Sequence, residues 1–148
     1  MLSIAHGSTG ALIASKIPNP FISFPIILAS HFLEDRIPHW DVGQGLTEGK
    51  KRKLDAFLQE LFFDFPLSII IVYALFQIGR PFDWHIWFGW FVGLLPDIVE
   101  FPYLFLRIRG KYINRFASFH NSFHQSTPSK FWGLLPQAFV LLLILLVK

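Results

Sequence analysis

Apolar residues run along this chain in long blocks broken by short polar punctuation. The first block, His6 to about Ile17, predicts a helix rich in small residues (Gly7, Gly10, Ala11, Ala14, Ser15), which let helices approach closely. Pro18-Asn19-Pro20 reads as a turn, because neither proline continues the preceding helix. A second helix follows from about Phe21 to Leu33 or slightly beyond. Crossing a bilayer takes roughly 20 residues, so these two short helices predict a buried hairpin. Beyond a loop with Gly43, Gly45 and Gly49 lies the basic run Lys50-Lys51-Arg52-Lys53. A third helix is expected from about Leu54 to Ile78, its stretch from Phe65 to Gly79 uncharged. Arg80-Pro81-Phe82-Asp83 predicts the next turn, and a fourth helix starts near Trp84 and kinks or restarts at Pro96-Asp97. Trp84, Trp87 and Trp90 are expected to form an aromatic belt at one membrane surface. A polar stretch from Arg107 to Lys130 precedes a last, uncharged helix from Phe131 to Val147. The expected fold is therefore all-α: one domain over residues 1–148, a polytopic membrane bundle of about five helices whose first two form a short hairpin.

Composition sharpens this picture. Residues are 53% hydrophobic and 16% charged, against roughly 25% charged in ordinary soluble domains, and mean hydropathy is +0.46. The N-terminus lacks the basic and apolar regions of a cleavable signal peptide. Cysteine is absent, which excludes disulfides, thiolate zinc sites and cysteine nucleophiles. A formal charge of +3 suits nucleic acid poorly as an explanation, because the basic residues punctuate apolar runs and follow membrane topology instead. Tracing the crossings puts Arg36, Lys50, Lys51, Arg52, Lys53, Arg107, Arg109, Lys111, Arg115 and Lys130 on one side, and only Lys16, Arg80 and Lys148 on the other. Ten of the thirteen basic residues mark that side as cytoplasmic.

Against this background the polar clusters stand out. His31 and Asp35 lie one helical turn apart in the run from Leu28 to Asp41, and His120 and His124 have the same spacing. Residues four apart share a helix face, so each pair converges on one ion if helical. The same trace brings His6 and Asp97 to the same membrane boundary. The candidate metal ligands are therefore His6, His31, Asp35, Asp97, His120 and His124. Imidazole and carboxylate suit one or two divalent ions, zinc first, manganese or iron next. Glu60 and Asp64, His39, and Glu100 are candidates for a general base or bridging ligand, and Asp41 for a ligand or a turn residue. An ordinary helix cap at His31-Asp35, or arginine pairing at Asp97 and Glu100, is the alternative in each case. His85 falls beside the tryptophans, where no chemistry is expected. Nothing resembles a GxSxG or P-loop motif, so metal-activated water is the expected nucleophile.

The short motifs resemble those of the membrane-bound metal-dependent hydrolases of bacterial and archaeal inner membranes. That family carries an early G/A-H, an L-P-D-[IL]-D segment, an H-R-G-x-T-H-S segment and an S-H-x-L-x-D segment. Similar here are Ala5-His6, Leu95-Pro96-Asp97-Ile98, His120-Asn121-Ser122-Phe123-His124 and Ser30-His31-Phe32-Leu33-Glu34-Asp35. The S-H-x-L-x-D-like element comes first here, whereas in the family it usually follows the L-P-D element. The run His31, Asp35, His39 is also similar to zinc-dependent phospholipase C. These resemblances imply a hydrolase; joined to the membrane trace and the ligand clusters, they lead to the expectation of an integral membrane hydrolase acting on a lipid, phosphoester or other ester at the cytoplasmic face, with the bilayer as its partner. A non-catalytic scaffold whose ion staples short helices remains the alternative, and a haem protein with axial histidines a third reading.

Overall fold

The computed structural model describes residues 1–46, 49, 50 and 52–148. Lys51, assigned above to the basic run, lies outside the described residues. The described residues form six helices and no extended strand: α1 (Ser3–Lys16), α2 (Pro20–Asp35), α3 (Lys53–Gln77), α4 (Trp84–Leu104), α5 (Lys111–Asn121) and α6 (Lys130–Val147). The fold is all-α, with one more helix than expected. The extra one, α5, falls in the stretch read as polar. Tyr112, Ile113, Phe116, Ala117 and His120 recur at helical spacing there, so it is an amphipathic helix with Ala117 and His120 buried.

Side chains at their starts position most helices. Asn19 Oδ1 accepts from Phe21 N (3.0 Å) with Pro20 opening α2, and Asp83 Oδ1 accepts from His85 N (2.9 Å) at the start of α4. The first turn of α1 is capped from another helix: Ser3 N donates to Asp64 Oδ2 at 2.7 Å. A carboxylate is favoured there by the helix dipole. Asp64 ends a π-helical turn, Glu60–Asp64, just ahead of Pro66. Proline lacks the N–H that would bond Phe62, and the wider turn absorbs that gap. The helix does not restart at Pro96: α4 runs on through both Pro96 and Pro102.

The short helix α1 is the hub, packed against α2, α3, α4 and α6. Its closest approach is to α4, where only glycine fits. A Cβ at Gly10 would fall on the carbonyl of Gly89, and one at Gly93 on the carbonyl of His6. Ala5, Ala11 and Ala14 are completely buried beside this seam. Below it, Val72, Phe76, Ile86 and Ile144 pack on Ala11 and knit α3, α4 and α6 together. The tryptophan row splits. Trp90 turns inward over Gly7 and donates to Ser68 Oγ (3.0 Å), Trp87 packs on the core, and only Trp84 is exposed. The three rings do not share a face, since residues three apart on a helix diverge by about 60°.

Among the described residues, α3 and α6 are the two helices long and apolar enough to cross a membrane. Most of their surface is exposed, including Phe62, Phe63, Ile70, Phe131, Phe139 and Leu146.

Candidate metal centre

One end of the bundle gathers imidazoles and carboxylates from α1, α2, α4, α5 and two loops. In α2 the one-turn spacing does what the sequence implied: His31 Nε2 lies 3.4 Å from Asp35 Oδ2. His120 of α5 joins them, its Nε2 3.1 Å from His31 Nε2 and 3.2 Å from Asp35 Oδ2. Asp97 Oδ1, from α4, is 3.6 Å from His120 Nε2 and 3.8 Å from His31 Nε2. His6 stacks on His31 at 3.9 Å between ring centroids, with its Nε2 3.1 Å from Asp35 Oδ1.

A second group shares Asp35. His39 Nε2 is 3.7 Å from Asp35 Oδ1, 3.1 Å from His124 Nε2 and 3.5 Å from Asp41 Oδ2. His124 Nε2 is likewise 3.5 Å from Asp41 Oδ2. Asp35 Oδ2 thus faces His31 and His120, while Oδ1 faces His6, the Met1 ammonium and His39, so the carboxylate lies between the two groups. His120 and His124 do not share a helix face: α5 ends at Asn121, so each enters a different group. Main-chain pairing holds the two loops together, with His39 N donating to Gln125 O (3.0 Å), Thr127 N to His39 O (2.7 Å) and Gln125 N to Asp35 O (2.9 Å).

The outward ring nitrogens are anchored. Nδ1 of His31 donates to Gly93 O and Nδ1 of His39 to Ile37 O, each at 2.8 Å. A carbonyl oxygen only accepts, so both Nδ1 atoms carry the proton and both Nε2 atoms present lone pairs inward. Nδ1 of His6 and His120 face the carboxylates of Glu34 (2.8 Å) and Glu100 (2.7 Å) in the same way. Outer acceptors that fix the tautomer and direct Nε2 inward are characteristic of metal-binding histidines.

The result is a buried space on which ring nitrogens and carboxylate oxygens converge. Burial, then the nearby amino terminus and His124, push the His39 pKa down to about 3. His124 is also pushed down, first by burial and then by the amino terminus. At His120 burial opposes protonation, but the hydrogen bonds to Asp35 and Glu100 outweigh it and raise the pKa to about 10. One proton can therefore sit on His120, and the Met1 ammonium lies against Asp35 and His6. The same amino terminus is felt by His39 and His124 in the second group, where Asp41 Oδ2 is buried without a hydrogen-bond donor. Tetrahedral Zn–N bonds of ~2.0–2.1 Å put ligand atoms about 3.3 Å apart. The separations of 3.1–3.8 Å are of that size, and without cysteine the donors are nitrogen and oxygen, as zinc, manganese or iron accept. Three sets, His6-His31-Asp97, His31-Asp35-His120 and Asp35-His39-His124, have atoms close enough to hold an ion.

The candidate bases fare differently. His39 stands among the ligand atoms. Glu100 supports His120 from behind. Asp64 caps α1, and Glu60 Oε1 accepts from Ser3 Oγ at 2.7 Å, so neither belongs to the three sets. Glu34 was not singled out from the sequence. It follows that His6 needs a partner across the α1–α2 hairpin, and Glu34 supplies it, held in turn by Thr9 Oγ1. His85 pairs with Asp83 at the opposite end of α4.

A cavity of about 420 Å³ borders the centre, with Asp41, Asp97, His120 and His124 in its wall. Comparisons with protein families, curated proteins and solved structures find no match to this chain.

Proposed function

We propose that this chain is an integral membrane hydrolase that holds two divalent ions across Asp35 and cleaves a phosphoester or another ester, as its resemblance to the membrane-bound metal-dependent hydrolases implies. The observation that carries the reading is the set of four histidines whose Nδ1 atoms are anchored outward while their Nε2 atoms converge on shared carboxylates. His31, His120, Asp35 and Asp97, with His6 beside them, make one ion's ligands; His39, His124, Asp41 and Asp35 make the other's. Two bound ions would acidify water towards neutral pH and stabilise charge on the attacked group. Glu100 and Glu34 keep His120 and His6 oriented, and the packed loops limit water. Zinc fits the nitrogen-rich donor set first, manganese or iron next.

The alternative is an ion that merely staples helices. Structural sites are coordinatively closed, whereas catalytic ones keep a position open. The adjoining cavity favours catalysis. In the membrane, α3 and α6 span the bilayer in a polytopic arrangement. The site lies at the boundary near Arg36, Lys53, Arg107, Arg109 and Lys111, which the positive-inside rule makes cytoplasmic.

The test is elemental analysis of gently purified wild type beside His31→Ala and Asp97→Ala, with phosphatase and esterase assays under added Zn²⁺ or Mn²⁺. The expected result is near-stoichiometric metal, lost in both variants together with turnover. A wild type free of metal sinks the reading.

A further inference from the structure

The cavity beside the metal centre is walled by one face each of α3 and α4. Apolar lining residues recur at helical spacing, Phe57, Leu61 and Phe65 on α3 and Leu94, Ile98 and Phe101 on α4, and Glu60, Asp64 and Glu100 of the same helices line the cavity too. At one end stand the metal-centre residues Asp41, Asp97, His120 and His124. At another, the rings of Phe57, Phe101 and Phe105 close on each other at 4.9–5.9 Å between centroids. Lys53 Nζ, bonded to Leu104 O at 2.5 Å, ties the two helices together there. Two apolar lining residues are themselves open, Leu61 (44% exposed) and Ile98 (41% exposed), and Leu61 lies on a helix apolar enough to span the bilayer.

The geometry points to an amphiphilic substrate, a phosphate monoester of a single hydrocarbon chain, with the phosphate at the end walled by Asp41, Asp97, His120 and His124 and the chain leaving sideways between Leu61 and Ile98. This deepens the proposed function and rests on it for the site of cleavage. A soluble phosphoester needs a route to water, not a side opening lined by apolar residues that face lipid. The volume of about 420 Å³ is at the small end of ligand sites, roughly 300–1,000 Å³. That suits a headgroup and part of one chain, with the remainder lying in the bilayer. In the reaction, water oxygen adds to phosphorus as the bond from phosphorus to the chain oxygen breaks. One water proton ends on the departing alcohol, leaving inorganic phosphate.

The test uses the full chain, metal-loaded, in lipid nanodiscs, with n-alkyl phosphates from methyl to hexyl. Calorimetric affinity and phosphate release are followed in parallel, and empty nanodiscs correct for partition into lipid. Affinity should rise about fourfold per methylene, which is what burial at ~0.8 kcal/mol per CH₂ gives. In the double variant Leu61→Gln, Ile98→Gln the ratio of hexyl to methyl affinity should collapse towards one, with metal content reporting that the protein is folded. A wild-type affinity that does not change with chain length overturns the inference and needs no variant to do so. A variant that is folded and metal-loaded but keeps the wild-type ratio overturns it too. Phosphate release decides the other question: if bound esters stay intact at full metal loading, the hydrolase reading fails, while chain-length-dependent binding still supports the amphiphile slot.

Discussion

Asp35→Asn is the most discriminating single change in this molecule. Asparagine keeps the shape and volume of aspartate, so packing at the end of α2 is preserved. What changes is the donor set. Asp35 is completely buried, with one oxygen 3.2–3.4 Å from His120 and His31 and the other 3.1–3.7 Å from His6 and His39. An amide offers one carbonyl oxygen, and its NH₂ group repels a cation. Either orientation therefore leaves one of the two ligand groups without its bridge. Losing a mere supporting hydrogen bond to a metal ligand costs roughly 10–100-fold in affinity. Losing a bridging ligand should cost at least the upper figure, about 2.7 kcal/mol at 1.36 kcal/mol per tenfold. Chelator competition and elemental analysis should then show at most one ion retained, bound ~100-fold more weakly, with His85→Ala as the neutral control. Were the cluster only a polar core, the same variant would lower thermal stability and leave metal content unmoved. Wild-type stoichiometry and affinity in Asp35→Asn would refute the bridging argument.

Other tests bear on support, packing and placement. Glu100→Gln should weaken metal binding 10–100-fold through His120, its 2.7 Å partner, without removing a ligand; unchanged affinity would show that Glu100 does not orient the ring. Gly93→Ala places a methyl on the His6 carbonyl, and should lower stability by about 1–3 kcal/mol and loosen metal held through His6, read by thermal melts and metal content. Because the chain has no cysteine, single cysteines at exposed Phe82 and Lys111 can be labelled selectively. Impermeant maleimide should reach them from opposite sides of the membrane, and same-side labelling would overturn the topology.

The helices were readable where hydrophobic blocks met hard punctuation. Pro18-Asn19-Pro20 and Asp83 end up bounding α1, α2 and α4 within a few residues of expectation. Helix α5 was missed because Lys111 and Arg115 made its stretch look like a polar loop, although its apolar positions recur at helical spacing. In the site, His31 and Asp35 were legible because both sit on one regular helix. His120 and His124 have the same spacing, yet the helix stops between them. Glu60 and Asp64 read as candidate bases or bridging ligands, and two acids four apart on a helix repel unless something offsets their charge. The start of α1 answers that need with a backbone N–H and a hydroxyl, a contact between residues far apart in sequence. Asp41 and Glu34 acquire their meaning only from the loop pairing and the hairpin crossing.

The coupling of the two loops has a consequence for how the protein is made. The hydrogen bonds from Gln125 to Asp35 and from Thr127 to His39 join positions separated by almost ninety residues of chain. A nascent polypeptide still short of His120 lacks a donor from each ligand group. Capture of the proposed ions would therefore follow synthesis of this late stretch, and chains that stop before it would stay unloaded.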